Sequence, residues 1–393
     1  MRTTHTPAPI RRQHAGRRLR PHGFSLVELM IAVVLGLLVT GALTATYVGL
    51  SQSGTELGRT NEQIENGRVA LQLIETELTH AGYWGGFIPS YDDLTQSAVP
   101  GDVPTAVPDP CLAYTPANWN AAYKTNLLGL PVQVYDDESI ATATSCAGIT
   151  SDIQPDTDVL IIRHAATCVA GVGSCPPMAA GNLYLQASFC TSEPATPVLD
   201  TANFTRHQRD CSAAAGLRKF VSEIFYVRTY YLTAGDGIPT LMRSSFEPGP
   251  GGGLSHQPAQ ALIPGIAALR VELGIDSQSR TGTAVDYGAA IAWSDPDTMK
   301  VPTNRGDGTP EGDYVQCSSA SACSVGQLRD IVAARVHVLA RTLQPSPGYA
   351  DPKTYHLGAN DYGPYSGDAA RYKRHAYTTT VRLNNVSGRR TTP

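Results

Sequence analysis

The sequence predicts an α+β protein in which a long N-terminal helix, half apolar and half amphipathic, packs on an antiparallel β-sheet head with long loops. Three observations predict this fold class: an apolar run at residues 24–50, a helical pattern that continues to Ala81, and short strand patterns spaced by loops from residue 82 onwards. The 37 glycines and 28 prolines favour a loop-rich β domain over a helical bundle. About 300 residues beyond the helix are enough to bury a sizeable core.

The apolar run from Phe24 to Leu50 has 27 residues and one charged side chain, that of Glu28. About 20 apolar residues in a helix span a bilayer, because each residue adds about 1.5 Å. The run therefore predicts a transmembrane helix. An unpaired carboxylate inside a membrane costs about 2.5 kcal/mol or more, so Glu28 predicts a partner for its charge.

The helical pattern continues beyond the apolar run. Apolar side chains recur seven residues apart at Leu57, Ile64, Leu71 and Leu78, which predicts one apolar stripe on an amphipathic helix. A coiled-coil seam is the alternative, but three glycines in this stretch weaken a free-standing helix by about 1 kcal/mol each. We expect the stripe to pack on the protein's own sheet, the glycines to mark bends or close packing, and the helix to stop at Gly82.

Strand patterns account for much of the remaining chain. The segment Ser222–Leu232 is the strongest, and it predicts a hairpin with Pro239–Ser244 through a Gly-Asp-Gly turn. Residues 87–155 and 282–324 are rich in loop-forming residues, so we expect loops with few short elements there. Further strands are predicted at residues 158–164, 182–185, 266–275 and 377–383, and a helical turn that leads into a strand at 328–342.

Charge is distributed unevenly along the chain. The formal net charge is −4, but residues 1–23 contain six arginines and no acidic residue; without them 24 basic and 34 acidic side chains remain, a net charge of −10. An acidic chain argues against general nucleic-acid binding, so no nucleic acid is predicted as a partner. The arginines that precede the span predict a cytoplasmic N-terminus and a head outside the cytoplasm.

All eight cysteines follow the apolar run, and none forms a C-x-x-C pair. Outside the cytoplasm this pattern favours disulfides over metal or redox chemistry, and we predict neither a metal site nor a cofactor. Short loops favour two local pairs, and the other two pairs are those that would then remain, although the sequence leaves other connectivities open. The local pairs are Cys317–Cys323 and Cys168–Cys175, and the remaining pairs are Cys190–Cys211 and Cys111–Cys146.

The sequence contains no recognisable catalytic constellation. The motifs of serine hydrolases, zinc proteases and phosphate-binding loops are absent, and isolated histidines in strand-like runs are expected to be structural. Asp307, Glu311 and Asp313 could offer oxygens to Ca²⁺, but their spacing departs from an EF-hand loop. A solvated loop is the favoured interpretation, and the chain is predicted not to be an enzyme.

The start of the apolar run, Gly-Phe-Ser-Leu-Val-Glu-Leu-Met, resembles the processing site of type IV prepilins. Gly23 matches the residue before the cut, Phe24 the new N-terminal residue that is methylated, and Glu28 the acidic residue of the mature chain. The resemblance implies that the prepilin leader peptidase and methyltransferase processes this chain. It also implies that Glu28 pairs with the N-terminus of a neighbouring subunit and so guides subunits into the filament.

Blocks of the head are similar to PilW-type minor pilins of type IV pili, among them Leu262–Ile266, Arg335–Leu339 and Arg374–Val381. The resemblance implies a pilin-like fold and a minor pilin that helps to initiate pilus assembly at or near the tip. The chain then divides into a leader at 1–23, a transmembrane or filament-core helix at 24–50, an amphipathic continuation at 51–81 and a globular β-rich head at 82–393.

The same resemblance implies a location and partners. The protein would be held in the inner membrane by a single span, with its head in the periplasm, and would later enter the extracellular pilus. Its partners would be other minor pilins, the major pilin and the inner-membrane assembly platform, and the resemblance leaves room for a large tip adhesin. Two alternatives stay open: a minor pseudopilin of a type II secretion system, and a signal-anchored periplasmic binding protein or enzyme.

Overall fold

A computed structural model describes residues 23–391. The chain divides into two compact units between Leu57 and Gly58. Helix α1 (Leu26–His80) belongs to both units. Its apolar part, residues 26–50, lies in the first unit, and its polar part, residues 58–80, lies in the second. The other helices are α2 (Ala121–Gly129), α3 (Asp137–Ala141), α4 (Val325–Arg329) and α5 (Asn384–Arg390), and the strands are β1 (Val132–Asp136), β2 (Asp158–Ala165), β3 (Tyr184–Gln186), β4 (Val198–Asp200), β5 (Arg218–Arg228), β6 (Thr240–Pro248), β7 (Leu254–His256), β8 (Gln260–Pro264), β9 (Ile266–Ile275), β10 (Ile331–Arg341), β11 (Tyr355–Leu357), β12 (Asn360–Tyr362) and β13 (Arg374–Arg382).

The larger sheet of the second unit is built around β2 and β5, which pair antiparallel. Strand β1 extends the sheet beyond β2, and β6 lies beside β5 and carries both β7 and β8. Strand β3 pairs with the first residues of β5, and β4 pairs with β3. Every residue of β2 is buried, as expected for a strand that is covered on both faces.

The second sheet has three antiparallel strands in the order β13, β10 and β9. The central strand β10 is the mainly apolar segment Ile331–Arg341, in which all residues but Arg335 are buried. A short helix, α4, precedes β10 and carries a capping box between Ser324 and Gln327. This arrangement agrees with the predicted helical turn that leads into a strand.

The polar part of α1 contributes to the main core of the second unit. Ala70, Ile74 and Leu78 are fully buried, and they belong to one apolar cluster with Phe225 of the larger sheet and Val336 of the three-stranded sheet. The helix therefore packs on both sheets. This architecture confirms the predicted α+β fold class.

The predicted packing of the stripe on the protein's own sheets is confirmed for Leu78 and in part for Leu71, and it is wrong for Leu57 and Ile64. Leu57 and Ile64 are exposed and Leu71 is only partly buried, whereas Leu78 is buried. Strict seven-residue spacing drifts by about 20° per heptad around a straight helix, so the stripe cannot follow one packed face over this length. The face that is buried consists of Gln63, Gly67, Ala70, Ile74 and Leu78.

Small and polar residues on that face allow the helix to approach the three-stranded sheet closely. A Cβ atom on Gly67 would lie 2.3 Å from Cε2 of Tyr377 in β13. The amide of Gln63 donates a hydrogen bond to the carbonyl oxygen of Ala340 at 3.0 Å. Gly67 thus marks close packing, which is one of the two roles expected for the glycines of this stretch.

Candidate assembly site

The N-terminus of α1 is capped by the residues that the processing motif contributes. Ser25 precedes the first helical residue, and its hydroxyl oxygen accepts a hydrogen bond from the main-chain N–H of Val27 at 3.2 Å. The carboxylate of Glu28 accepts one from the main-chain N–H of Ser25 at 3.0 Å. These two bonds satisfy N–H groups that have no partner inside the helix, and together they form a reciprocal cap.

This cap was not predicted from the sequence, although Ser25-x-x-Glu28 is its usual signature. The structure therefore provides a local reason for an acidic residue at this position, in addition to any partner in another subunit. The Oε2 atom of Glu28 makes the bond to Ser25, and no hydrogen bond involves its Oε1 atom among the described residues. One carboxylate oxygen is thus used in the cap, and the other is available.

The bond between Gly23 and Phe24 lies outside the helix. Both residues are exposed and precede the start of α1 at Leu26. A Cβ atom added to Gly23 would have no contact within 4 Å in the described part of the chain. Residues 1–22, the greater part of the predicted leader, lie outside the described residues. An exposed, non-helical peptide bond is one that a protease can reach.

The apolar part of α1 is exposed along its whole length. The exposed fraction is 88% for Phe24, 76% for Leu26 and 69% for Leu50, and no residue from 24 to 50 is buried. In residues 23–391, α1 is the one helix that is long and apolar enough to cross a membrane. So large an apolar surface requires lipid or other helices to cover it.

Four disulfides join all eight cysteines, which lie in the second unit: Cys111–Cys146, Cys168–Cys175, Cys190–Cys211 and Cys317–Cys323. Loop length favoured the pairs Cys168–Cys175 and Cys317–Cys323, and the other two pairs are those suggested as the remainder. Two bridges close short loops between elements, whereas Cys190–Cys211 encloses β4, and Cys111–Cys146, with a separation of 35 residues, encloses α2, β1 and α3. Closing a loop stabilises the fold chiefly by restricting the unfolded chain.

The acidic loop considered for Ca²⁺ is folded against the end of β9. Carboxylate oxygens of Asp276, Asp307 and Glu311 lie within 4.8 Å of one another, whereas Asp313 is exposed and outside this group. Asp276 already accepts hydrogen bonds from the main-chain N–H groups of Asp307 and Gly308, at 3.1 and 2.9 Å. The three carboxylates could offer oxygens to a cation, but the negative charge of Asp276 is also balanced within the protein by the guanidinium of Arg390.

The histidines of the strand-like runs have structural partners. His164 contacts the carboxylate of Glu77 at 3.2 Å, and this hydrogen bond is the largest cause that lowers the pKa of Glu77. His337 lies between Glu272, at 3.0 Å, and the hydroxyl of Thr378, at 2.9 Å. Both histidines are buried and link neighbouring elements.

A cleft of about 630 Å³ lies between the segment at 87–102, α2 and the segment at 195–199. Lys124 at this cleft lies 3.6 Å from the carboxylate of Asp200, and Asp102 accepts hydrogen bonds from Ser90. Lys124, Ser90 and Asp102 at the cleft thus each have a polar partner.

Comparisons with known proteins match two parts of the chain. Residues 18–44 match the family described as the prokaryotic N-terminal methylation motif. Residues 225–385, from within β5 to the start of α5, match the family described as type IV pilus-assembly protein W, or PilW. No curated protein sequence matches the chain.

Among solved structures, one match is the type IV-like pilin TTHA1219 from Thermus thermophilus. The match has 12% sequence identity and a TM-score of 0.24, and it covers 60% of this chain and 81% of that chain. A likeness of this size carries no argument about function.

Proposed function

We propose, on the premise that this chain is a PilW-family type IV pilin, that it is a minor pilin subunit which takes part in the initiation of pilus assembly at or near the tip. The observation that carries this proposal is the combination found at the N-terminus. A reachable Gly23–Phe24 bond stands directly before the apolar part of α1, whose surface is wholly exposed; within residues 24–50 the one acidic residue is Glu28, in the first turn.

Cleavage after Gly23 would change the electrostatics at this helix end. The new α-ammonium of Phe24 remains cationic when it is methylated, and a carboxylate and an ammonium can each offset the cost of desolvating the other. Because one oxygen of Glu28 caps its own helix, the other can accept the ammonium of a neighbouring subunit. Such a pair would set the axial register between subunits, and the cap would hold the carboxylate in place.

The exposed apolar surface supports storage in a membrane followed by assembly. In lipid, the surface of residues 24–50 needs no other cover. In a filament the same surface has to be covered by the helices of other subunits, since water cannot replace lipid around it. We therefore place the protein in the inner membrane as a single-pass subunit, with a periplasmic head, before it joins the extracellular pilus.

The partners proposed on this basis are the prepilin leader peptidase, other minor pilins, the major pilin and the inner-membrane assembly platform. A large tip adhesin is a further proposed partner. The second unit would act as a structural head, without catalytic activity, and its disulfides suit the oxidising periplasm.

Mass spectrometry of the mature N-terminus, combined with purification of sheared pili, tests this proposal. We expect a chain that begins at methylated Phe24 and that is recovered with the pili. A chain that begins at Met1, or after residue 45, would contradict a pilin function and favour a signal-anchored protein. Correct processing without recovery in pili, in cells that also carry a type II secretion system, would instead favour a pseudopilin.

A further inference from the structure

The two edges of the three-stranded sheet differ in how their main-chain groups are used. On the outer edge of β9, Leu273 exchanges two hydrogen bonds with Val315, at 2.7 and 2.8 Å. On the same edge the N–H of Val271 donates to the carboxylate of Asp158 at 2.7 Å, and Ile275 accepts from Glu311 at 2.9 Å. The β9 edge is therefore covered by the protein itself.

The outer edge of β13 has no such cover. The bond from Leu383 N–H to the carbonyl of Val332 continues the register of β13 with β10, so odd-numbered residues of β13 face β10 and even-numbered residues face away. Ala376, Thr378 and Thr380 thus direct their main-chain N–H groups outward. No hydrogen-bond partner is found for these three N–H groups in the described part of the chain.

The sequence of this edge does little to prevent pairing. Natural proteins protect sheet edges with prolines, charged residues or bulges. The stretch Ala376–Val381 contains neither a proline nor a charge, and its register with β10 is unbroken. It is also rich in threonine, which favours extended structure. An edge of this kind is a template for an added strand.

Space for such a strand lies beside the edge. A groove of about 730 Å³ is bounded on one side by Thr378 and Thr379 of β13 and on the other by the polar face of α1. The α1 wall presents Arg68, Gln72 and Glu75 beside Leu71, so polar side chains of an added strand that face α1 find charged and hydrogen-bonding partners there. Main-chain groups of β13 would supply affinity, and this wall would supply selectivity.

Antiparallel pairing of two β13 strands, one from each of two copies of this chain, does not fit subunits anchored in one membrane. Helix α1 and β13 run in the same direction, because Gln63 reaches Ala340, the partner of His375, while Thr79 further along α1 accepts a hydrogen bond from Asn385. Two copies that paired antiparallel through β13 would have their helices reversed. Copies of one subunit anchored in one membrane carry their helices in the same direction, so this pairing is excluded.

We propose that the outer edge of β13 binds an extended polar strand from the head of a different pilin-like subunit, which becomes a fourth strand of the sheet. This proposal rests on the proposed function, since it requires other subunits with pilin heads alongside this one. It assigns a specific contact to the head, separate from the helix contacts of residues 24–50.

The test uses a photo-crosslinking amino acid at Gln72, in the groove wall, in the full-length protein of cells that assemble pili. A crosslinker at Leu232 is the control, because this residue is exposed and is distant from β13 in the sequence. We expect the crosslinker at Gln72 to form an adduct with a segment in the head of another pilin-like subunit. The crosslinker at Leu232 should form no adduct with the same segment. No adduct, an adduct between two copies of this chain, or an adduct to a protein that is not pilin-like would overturn the proposal.

Substitutions at Thr380 then test the role of the main chain. Thr380→Pro removes an outward N–H without touching the bonds to β10, and we expect it to lower the Gln72 adduct about tenfold. Thr380→Ala keeps the N–H and should leave the yield within about twofold. Thr380→Lys keeps the N–H and the ladder but protects the edge, so it should lower the yield even if the proline variant does not accumulate.

Equal adduct yields in all three variants would contradict strand addition. The mature N-terminus is measured in the same samples, so failure of the edge proposal is distinguishable from failure of the proposed function. Correct processing and recovery with pili, together with no adduct at Gln72, would reject the edge contact and leave the pilin function standing.

Discussion

The guanidinium of Arg390 lies against the carboxylate of Asp276, with 3.3 Å between Nη1 and Oδ2. Arg390 is in α5, at the end of the described chain, and Asp276 directly follows β9. The same guanidinium donates to Asp92 at 3.0 Å and lies 3.5 Å from Asp330. All four side chains are buried. One cation therefore joins the C-terminal helix to three segments that are far apart in the sequence.

Replacing Arg390 should destabilise the head strongly. Arg390→Met would leave the buried carboxylate of Asp276 without a cation, and breaking a buried pair costs about 3–5 kcal/mol. Thermal unfolding of the purified full-length protein would measure the loss. Arg371→Ala is the matched control, because Arg371 forms an exposed pair with Asp368, worth about 0–1 kcal/mol. Equal stability of the two variants would show that the buried cluster contributes little.

Alanine substitutions at Gly67 and Gly58, two glycines of α1, should change the stability of the protein in opposite directions. Gly67→Ala would push a Cβ atom into the ring of Tyr377, and overpacking costs about 1–3 kcal/mol. Gly58→Ala meets open space and should stabilise the helix by about 0.5–1 kcal/mol. We expect the unfolding temperature to fall in the first variant and to rise in the second. A rise in both would mean that the Tyr377 ring moves aside at little cost.

The loop closed by Cys190–Cys211 should loosen in acid. Glu193 accepts hydrogen bonds from the hydroxyl of Ser188 at 2.6 Å, from the ring of His207 and from the main-chain N–H of His207; these bonds, the Ser188 bond above all and then that of the His207 ring, lower the pKa of Glu193 to about 2. Because the folded pKa lies below the unfolded one, this stabilisation is present above the ordinary Glu pKa and is lost as the pH falls towards about 2.

Hydrogen exchange of residues 188–211 at about pH 6 and about pH 3 measures this effect, once intrinsic exchange rates are corrected for. We expect protection to fall several-fold more in the wild-type protein than in Glu193→Gln, which has no carboxylate to titrate. Asp368→Asn changes a carboxylate that is 97% exposed and should retain the wild-type response. An unchanged response in Glu193→Gln would assign the acid sensitivity to another group.

Gly23 should be required for processing. Gly23→Leu places a bulky side chain next to the proposed cut, and most of the chain should then keep its leader. Gel mobility and mass spectrometry of membrane fractions would show the precursor. Gly36→Ala, which meets open space within the same apolar part of α1, should be processed normally. Normal processing of Gly23→Leu would reject this cut site.

Glu28 has two proposed roles that a pair of substitutions can separate. Glu28→Ala removes both the cap and the charge, and we expect largely intact cleavage with impaired methylation or assembly. Glu28→Gln keeps an oxygen that can accept the Ser25 N–H but removes the charge. If pairing with a neighbour's ammonium governs assembly, the Gln variant should fail as the Ala variant does. Normal piliation of the Gln variant would reduce Glu28 to a helix cap.

Features that are determined by residues close together in the sequence could be predicted from it. The apolar run, the methylation motif and the strands at β2, β9 and β10 are local patterns, and the fold class and the PilW resemblance derived from them are confirmed. The strongest predicted strand was shifted, since β5 ends at Arg228 rather than Leu232. Element bounds depend on tertiary packing as well as on propensity.

Other features depend on residues that only folding brings together. The buried face of α1 follows the surface of two sheets, so Gly67 and Ala70 belong to it whereas Ile64 does not. The charge cluster brings Asp92, Asp276 and Asp330 together around Arg390, with Arg329 paired to Asp330 and Arg389 to Asp92, and no sequence spacing signals such a set.

By itself, the sequence determined that this chain has an apolar N-terminal helix with a prepilin-like motif and a disulfide-bearing β head, because these features follow from composition and short-range patterns. Only the tertiary structure decided which edge of the three-stranded sheet is left open and which charges are buried together. An uncovered sheet edge and a buried ion pair both depend on segments that are distant in the chain. Their energies are determined by the groups that pack against them in the folded protein, and not by their neighbours in the sequence.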